Sequence, residues 1–184
     1  GSVHAPAIQQ NPRARYIRDW INGSTSNGGN HWLEVRAIYA GENISLGKPV
    51  TASVSVGRLS KVTDGTTSNS GYASLSATGP AWVQVDLGEV REIDEVQVWH
   101  YYADGRTYYG TKTEISEDGI NWTTIFDSAV SGTYPETSTG VTHQAKAPGP
   151  VGATPQGLRL PEASEVGVAR GLVAWYPLLG DTLD

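Results

Sequence analysis

AWVQVDLG (81–88) and EIDEVQVWH (92–100) decide the fold. Val83, Val85 and Leu87 face one way in the first segment, and Val96 and Val98 share a face in the second. This alternation is the period of a β-strand with one face buried. The same pattern recurs on either side. KTEIS, the turn EDG and INWTTIFDS (112–128) make a hairpin turning at Asp118-Gly119. HWLEVRAIY (31–39) places Leu33, Val35, Ala37 and Tyr39 on one side and Trp32, Glu34, Arg36 and Ile38 on the other. RARYIRDWI (13–21) is strand-like, and KPVTASVSV (48–56) reads as an edge strand because Pro49 cannot donate to a ladder. No window carries an apolar stripe at helical spacing, so the expected class is all-β.

Composition agrees. The apolar residues are mostly Val and Ile, with 6 Trp and 9 Tyr, in a chain rich in Gly, Ser and Thr. The 184 residues suffice for one well-cored domain with some tail. There is no Cys, which excludes a disulfide framework or a Cys-based zinc site. The net charge of −6, with 13 scattered basic residues, argues against nucleic acid and against anionic membranes. No apolar run approaches the roughly 18 residues of a membrane span, so membrane insertion is not expected.

Between the strands, NGSTSNGGN (22–30) and AGENISLG (40–47) read as a loop and a turn. The polar stretch 57–80 is long enough to be functional. Residues 1–12 read as tag and leader, 13–144 as one β-sandwich, 145–169 as a Gly/Pro-rich linker, and 170–184 as the start of a further domain.

HYYADGRTYYG (100–110) is the leading ligand candidate. A sugar offers an apolar ring face and a rim of hydroxyls, so its site needs aromatic platforms with fixed planar donors and acceptors. His100, Tyr101, Tyr102, Asp104, Arg106, Tyr108 and Tyr109 supply these within one loop. Catalysis has little support. The four His lack metal-ligand spacing, no G-x-S-x-G elbow occurs, and the acidic pairs sit at strand ends and turns. SEDGINW (116–122) is not a sialidase Asp-box, because Asp118 and Gly119 are adjacent. GENISLGK (41–48) is not a phosphate loop, because its glycines are wrongly spaced and no helix follows.

The ordered series ISLGKPVTAS (44–53), VTDG (62–65), AWVQVDLGEV (81–90), VQVW (96–99), Arg106 and SEDGINW (116–122) resembles the discoidin, or coagulation-factor type C, family of galactose-binding-like domains. The resemblance implies a jelly-roll sandwich of about eight antiparallel strands. It also implies a non-catalytic carbohydrate-binding module. ARYIRDW (14–20) and HWLEVRAIYAG (31–41) match the family's closing strands, yet they come first. Circular permutation explains this with a short joining loop. The rival is a stump of an upstream copy, which would leave this sandwich without closing strands.

In sugar-binding relatives an Arg and an Asn grip the hexose. Arg106 matches the Arg, whereas Thr111 stands near the Asn position, so galactose preference is not implied. Tyr72, on the second wall of the site in relatives, stands where many members carry a rim Trp, and reads either as stacking on a sugar or, by preference, as covering the core. Trp82, Trp122 and Phe126 match positions packed inside. A structural Ca2+ is implied at Asp64, Thr66, Ser68 and Glu34, with Thr66 where an acidic residue is common. GLVAWYPLLGDTLD (171–184) resembles the first strand of a concanavalin-like (laminin-G-type) lectin domain.

The expected partner is a cell-surface or matrix glycan, at an extracellular, cell-surface or virion-surface location such as a phage tail fibre, with a homo-oligomeric parent protein possible. The alternative is a structural spacer or assembly module with no ligand of its own, in which the loop tyrosines contact neighbouring subunits.

Overall fold

The computed structural model describes residues 10–55, 57–75 and 78–146. The beginning of the leader, nearly all of the linker and the lectin-like segment at 170–184 lie outside the described residues.

The described residues build two antiparallel sheets. The first contains β1 (Arg13–Ile21), β4 (Val50–Ala52), β6 (Ala81–Glu92), β8 (Lys112–Ser116) and β9 (Thr123–Asp127), in the order β4-β6-β1-β8-β9. The second contains β2 (Asn30–Tyr39), β3 (Glu42–Asn43), β7 (Glu95–His100) and β10 (Val141–Gln144), in the order β10-β7-β2-β3, with β5 (Ala73–Leu75) paired to β2. The inner faces share one core. Ile17, Val83, Val85 and Ile115 from the first sheet meet Trp32, Val35, Val96 and Val98 from the second, all nearly inaccessible.

Residues 13–39 therefore supply an interior strand to each sheet. β1 lies between β6 and β8, aligning Ile17 with both Val85 and Ile115. β2 lies beside β7, aligning Val35 with Val98. These strands belong to this sandwich and pair inside its two sheets. Asn11 and Pro12, at the end of the expected leader, are also tied down. Asn11 Nδ2 donates to Asp94 Oδ1 at 2.7 Å, and Pro12 O accepts from Ile93 N at 2.9 Å.

The alternation expected along 31–39 breaks at one point. A register shift between Trp32 and Glu34 places Trp32 in the core with Val35 and Ala37, leaving Glu34 and Arg36 outside it. Such a bulge re-aims side chains in a way that a fixed period of two cannot express. The strand expected at 48–56 is shorter, pairing only over Val50–Ala52, and lies at a sheet edge as Pro49 requires. The polar stretch 57–80 contains a 3-10 turn, Leu59–Thr63, and β5, which bring Val62 and Leu75 into the core.

Trp82 and Trp122 depart from the expected interior packing. Both are half-buried on the outer side of the first sheet, with the Arg18 guanidinium 4.4 Å from one ring and 3.9 Å from the other. Arg18 also donates to Gln84 Oε1 at 2.7 Å. The layered guanidinium covers indole surface that would otherwise face water. Phe126 closes an edge of the sandwich, stacked on His143 at 4.2 Å.

Because β1 is interior, a chain beginning at Glu42 is expected to lose cooperative unfolding, and Ile17→Ala to lower stability by about 2–5 kcal/mol. Urea unfolding followed by tryptophan fluorescence checks both. A cooperative transition in the shortened chain would show that β1 and β2 are dispensable.

Candidate functional site

A buried ionic array organises one end of the sandwich. Asp19 on β1 and His100 at the end of β7 are closed off from solvent, as is Glu136 in the segment after β9. His100 Nε2 lies 2.8 Å from Asp19 Oδ2, and its Nδ1 lies 2.8 Å from Glu136 Oε1. Asp19 also accepts from Trp32 Nε1 and from Thr113 Oγ1, each at 2.8 Å. Burial alone would push the imidazole pKa down, but Glu136 and Asp19 outweigh it and raise it to about 10. His100 is therefore an imidazolium donating both ring protons.

Above this array lies the 100–110 loop. Gly105 N donates to Tyr102 O at 2.9 Å, turning the chain, and Arg106 O accepts from Glu136 N at 2.8 Å. The Arg106 guanidinium is held from several sides. Nε and Nη2 donate to Asp104 Oδ1 and Oδ2, each at 2.7 Å. Its carbon lies 4.7 Å from the Tyr101 ring centre, and Nη1 approaches the Tyr108 hydroxyl at 3.4 Å and His31 Nδ1 at 3.5 Å. The paired hydrogen bonds keep Asp104 well below the usual carboxylate range and raise Arg106. Burial first, and then the Arg106 charge, lower the His31 pKa, so its ring is neutral at pH 7.

A small pocket of about 150 Å³ opens over this arrangement, lined by Asn27, His31, Tyr72, Tyr101 and Arg106. Tyr72 and Tyr101 meet edge to face at 5.3 Å, and His31 meets Tyr72 edge to face at 5.1 Å. The aromatic walls are thus braced against one another as well as against the guanidinium.

The expected ligand residues separate into layers. Tyr72, Tyr101 and Arg106 line the pocket, and Asp104 orients Arg106 from the exposed rim. His100 and Tyr108 are fully buried, their rings 5.2 Å apart. They form the floor, where neither ring can touch a ligand, because each is needed to fill or neutralise the interior. Tyr102 and Tyr109 do not line the pocket. Tyr109 is 48% exposed, and its backbone is bonded to Asn22 and Gly23. Thr111 is buried and also lies outside the lining.

The sequence reading missed Asn27 and His31. Both come from the N-terminal segment, which the 100–110 motif does not reach. Asn27 brings an amide to the pocket lining, and its Oδ1 accepts from Gly29 N at 3.0 Å. Gly29 is also a steric requirement, since a Cβ there would lie 2.8 Å from His31 Cε1.

The four calcium candidates are only partly brought together. Glu34, fully buried, accepts from Arg36 Nε at 3.2 Å and from Gly65 N at 3.1 Å. Asp64 accepts from Thr66 N at 2.9 Å and from Lys61 Nζ at 2.7 Å. The Gly65 carbonyl takes Arg36 Nη2 at 2.9 Å, and the Ser68 hydroxyl is bonded to that of Ser70 at 2.7 Å. Burial pushes the Glu34 carboxyl up to about 7 despite Arg36. Calcium draws on about six to eight oxygens. Here every carboxylate oxygen of Glu34 and Asp64 accepts from a protein donor, and the Arg36 guanidinium bridges Glu34 and the Gly65 carbonyl. As placed, the residues do not fit a calcium ion without displacing Arg36 and Lys61.

Among the described residues no helix is long and apolar enough to cross a membrane. Residues 61–147 match a protein-family model described as NedA-like, galactose-binding domain. No curated protein and no solved structure gives a significant match. The two antiparallel sheets and this match, which covers just under half of the chain, support a galactose-binding-like β-sandwich domain of the F5/8 type C, or discoidin, kind. The matched stretch leaves out β1, β2 and the loop between them, which supply two interior strands and Asp19, Asn27 and His31.

Replacing His100 by Gln leaves two buried carboxylates without their cation and is expected to cost about 3–5 kcal/mol. The pKa of His100 is raised on folding, from 6.5 to about 10. Its contribution is therefore full below pH 6.5 and lost as pH rises through 10. Urea unfolding at steps across this window should show the native chain losing stability where His100→Gln does not. Equal slopes would contradict a buried imidazolium.

Proposed function

We propose that the domain is a non-catalytic carbohydrate-binding module, and that the pocket over Arg106 takes one terminal neutral hexose of a glycan, of galactose type. The observation that carries this is the Arg106 guanidinium, clamped on Asp104 and layered against Tyr101 beneath a pocket with aromatic walls. A pyranose needs a flat apolar contact for its C–H face and rigid donors and acceptors for vicinal hydroxyls. Tyr72 and Tyr101 offer the first. Arg106 Nη1, Asp104, His31 and the Asn27 amide offer the second.

Charge favours a neutral ligand at this pocket. Asp104 balances Arg106, and His31 is uncharged at pH 7. The pocket also comes ready-made, because Arg106 has lost its rotational freedom before any ligand arrives. Its small size supports a weak single site, with Kd on the order of 0.1–1 mM. Such affinity becomes useful when modules are repeated along a surface or fibre protein, which is the setting we propose for adhesion to a cell-surface or matrix glycan. The early position of β1 and β2 belongs to the same reading, as a circular permutation that brings Asn27 and His31 into the pocket.

Calorimetric titration with methyl β-galactoside is expected to give saturable binding. Arg106→Ala should abolish it, and Gly29→Ala, which forces the His31 ring aside, should weaken it by about tenfold or more. Both variants should keep a cooperative thermal transition. Unchanged binding in Arg106→Ala would remove the pocket from the account. Absence of binding by the folded native chain, and by its glucose and N-acetylglucosamine counterparts, would favour the spacer alternative.

A further inference from the structure

On the other side of Tyr72 lies a second groove of about 360 Å³, lined by Gly57, Arg58, Ser70, Gly71, Tyr72 and Ser74. Tyr72 is the shared wall between this groove and the Arg106 pocket. A ligand reaching past Tyr72 from one meets the other.

The chemistry of the two differs. Arg58 is exposed, and among the described residues no ion pair involves it. Its backbone is left-handed, with φ 66° and ψ 34°, at the start of the 3-10 turn. That conformation favours Gly or Asn and is costly for an Arg, whose Cβ crowds the following carbonyl. The chain thus places a long cation where backbone geometry asks for a glycine. Residues kept against local preference cluster at functional sites.

The other walls suit a sugar carrying negative charge. Gly57 leaves the backbone open, Gly71 is buried beneath the Lys61 side chain, and Ser70 and Ser74 add hydroxyls. The Lys61 ammonium stands 3.7 Å from where a Cβ on Gly71 would be, and its own charge is balanced by Asp64 at 2.7 Å. The Arg58 charge is the one left to be matched by a ligand.

We infer that this groove is a second subsite, which takes an anionic sugar, a uronate or a sulfate ester, linked to the hexose held over Arg106. The inference rests on the Arg106 reading and adds the class of the neighbouring sugar. The guanidinium recognises the shared feature of the two, a planar or tetrahedral oxyanion that accepts paired hydrogen bonds.

The test compares methyl β-galactoside, a galactose-glucuronate disaccharide, a galactose disaccharide sulfated on its second residue, and lactose as the neutral disaccharide. Calorimetry at about 50 mM and about 300 mM salt separates charge from contact. The native chain is expected to bind one or both acidic disaccharides at least about tenfold more tightly than lactose, with the gain shrinking at the higher salt. Which acid shows the gain distinguishes uronate from sulfate. Arg58→Gly should remove the gain, leave methyl β-galactoside binding unchanged and keep or raise the melting temperature, since glycine suits that backbone. Arg58→Gln should remove the gain as well. Acidic disaccharides binding no better than lactose, or a gain that survives both Arg58 variants, overturns the subsite. Loss of methyl β-galactoside binding by the native chain overturns the Arg106 reading. An acid-dependent gain still lost in Arg58→Gly would then leave the groove as a site in its own right.

Discussion

The structure depends on one buried ionic contact, the His100 imidazolium held between Asp19 and Glu136. Ions this far from water are tolerated when paired and hydrogen-bonded; the ring reaches one oxygen of each carboxylate, and among the described residues Glu136 Oε2 has no hydrogen-bond partner. Here Trp32 Nε1 and Thr113 Oγ1 complete the shell of Asp19. The array therefore draws together β1, β2, β8, the end of β7 and the 133–140 segment. Apolar residues of matching volume could bury as much surface. They would not fix where the chain leaves β7, and that exit direction sets the 100–110 loop.

The rest of the site follows from that anchor. Glu136 is bonded to His100 through its side chain and to the Arg106 carbonyl through its N–H, so one residue ties the loop to the interior. Tyr108 fills the space between His100 and Arg106, packed on the imidazole and reached by the guanidinium. Arg106 then has one orientation, and Tyr101 lies against it. Rigidity at the surface is inherited from charge below it, which is the arrangement a preorganised site requires.

Much of the fold was legible in the sequence because a half-buried strand leaves a period-two trace. The strands at 81–88 and 92–100, one in each sheet, carry that trace clearly. It fails where geometry departs from a plain pleat. The bulge at Trp32 shifts the burial phase, and the 3-10 turn and β5 are too short to show a period. Trp82 and Trp122 read as core because they match positions that the family packs inside, yet Arg18 makes an outer face suitable for them. For the site, residue type identified the loop and Arg106 but not depth. His100 and Tyr108 have the chemistry of ligand residues and serve as floor, because burial depends on long-range packing. Asn27 and His31 were invisible for the converse reason: they are far from the motif in sequence and reach the pocket only through strand order. At the Asp64-Gly65 turn, the residue types suggested calcium. There the Arg36 guanidinium, two positions along the strand from Glu34, bonds both Glu34 and the Gly65 carbonyl.

The most direct test of the account is an amide and indole NMR titration of the full chain with galactose. The account predicts shifts that saturate together at Asn27, His31, Tyr72, Tyr101 and Arg106, with the indole signals of Trp20, Trp82 and Trp122 unmoved. Saturating shifts centred on those tryptophans, or on any face away from Arg106, would contradict it.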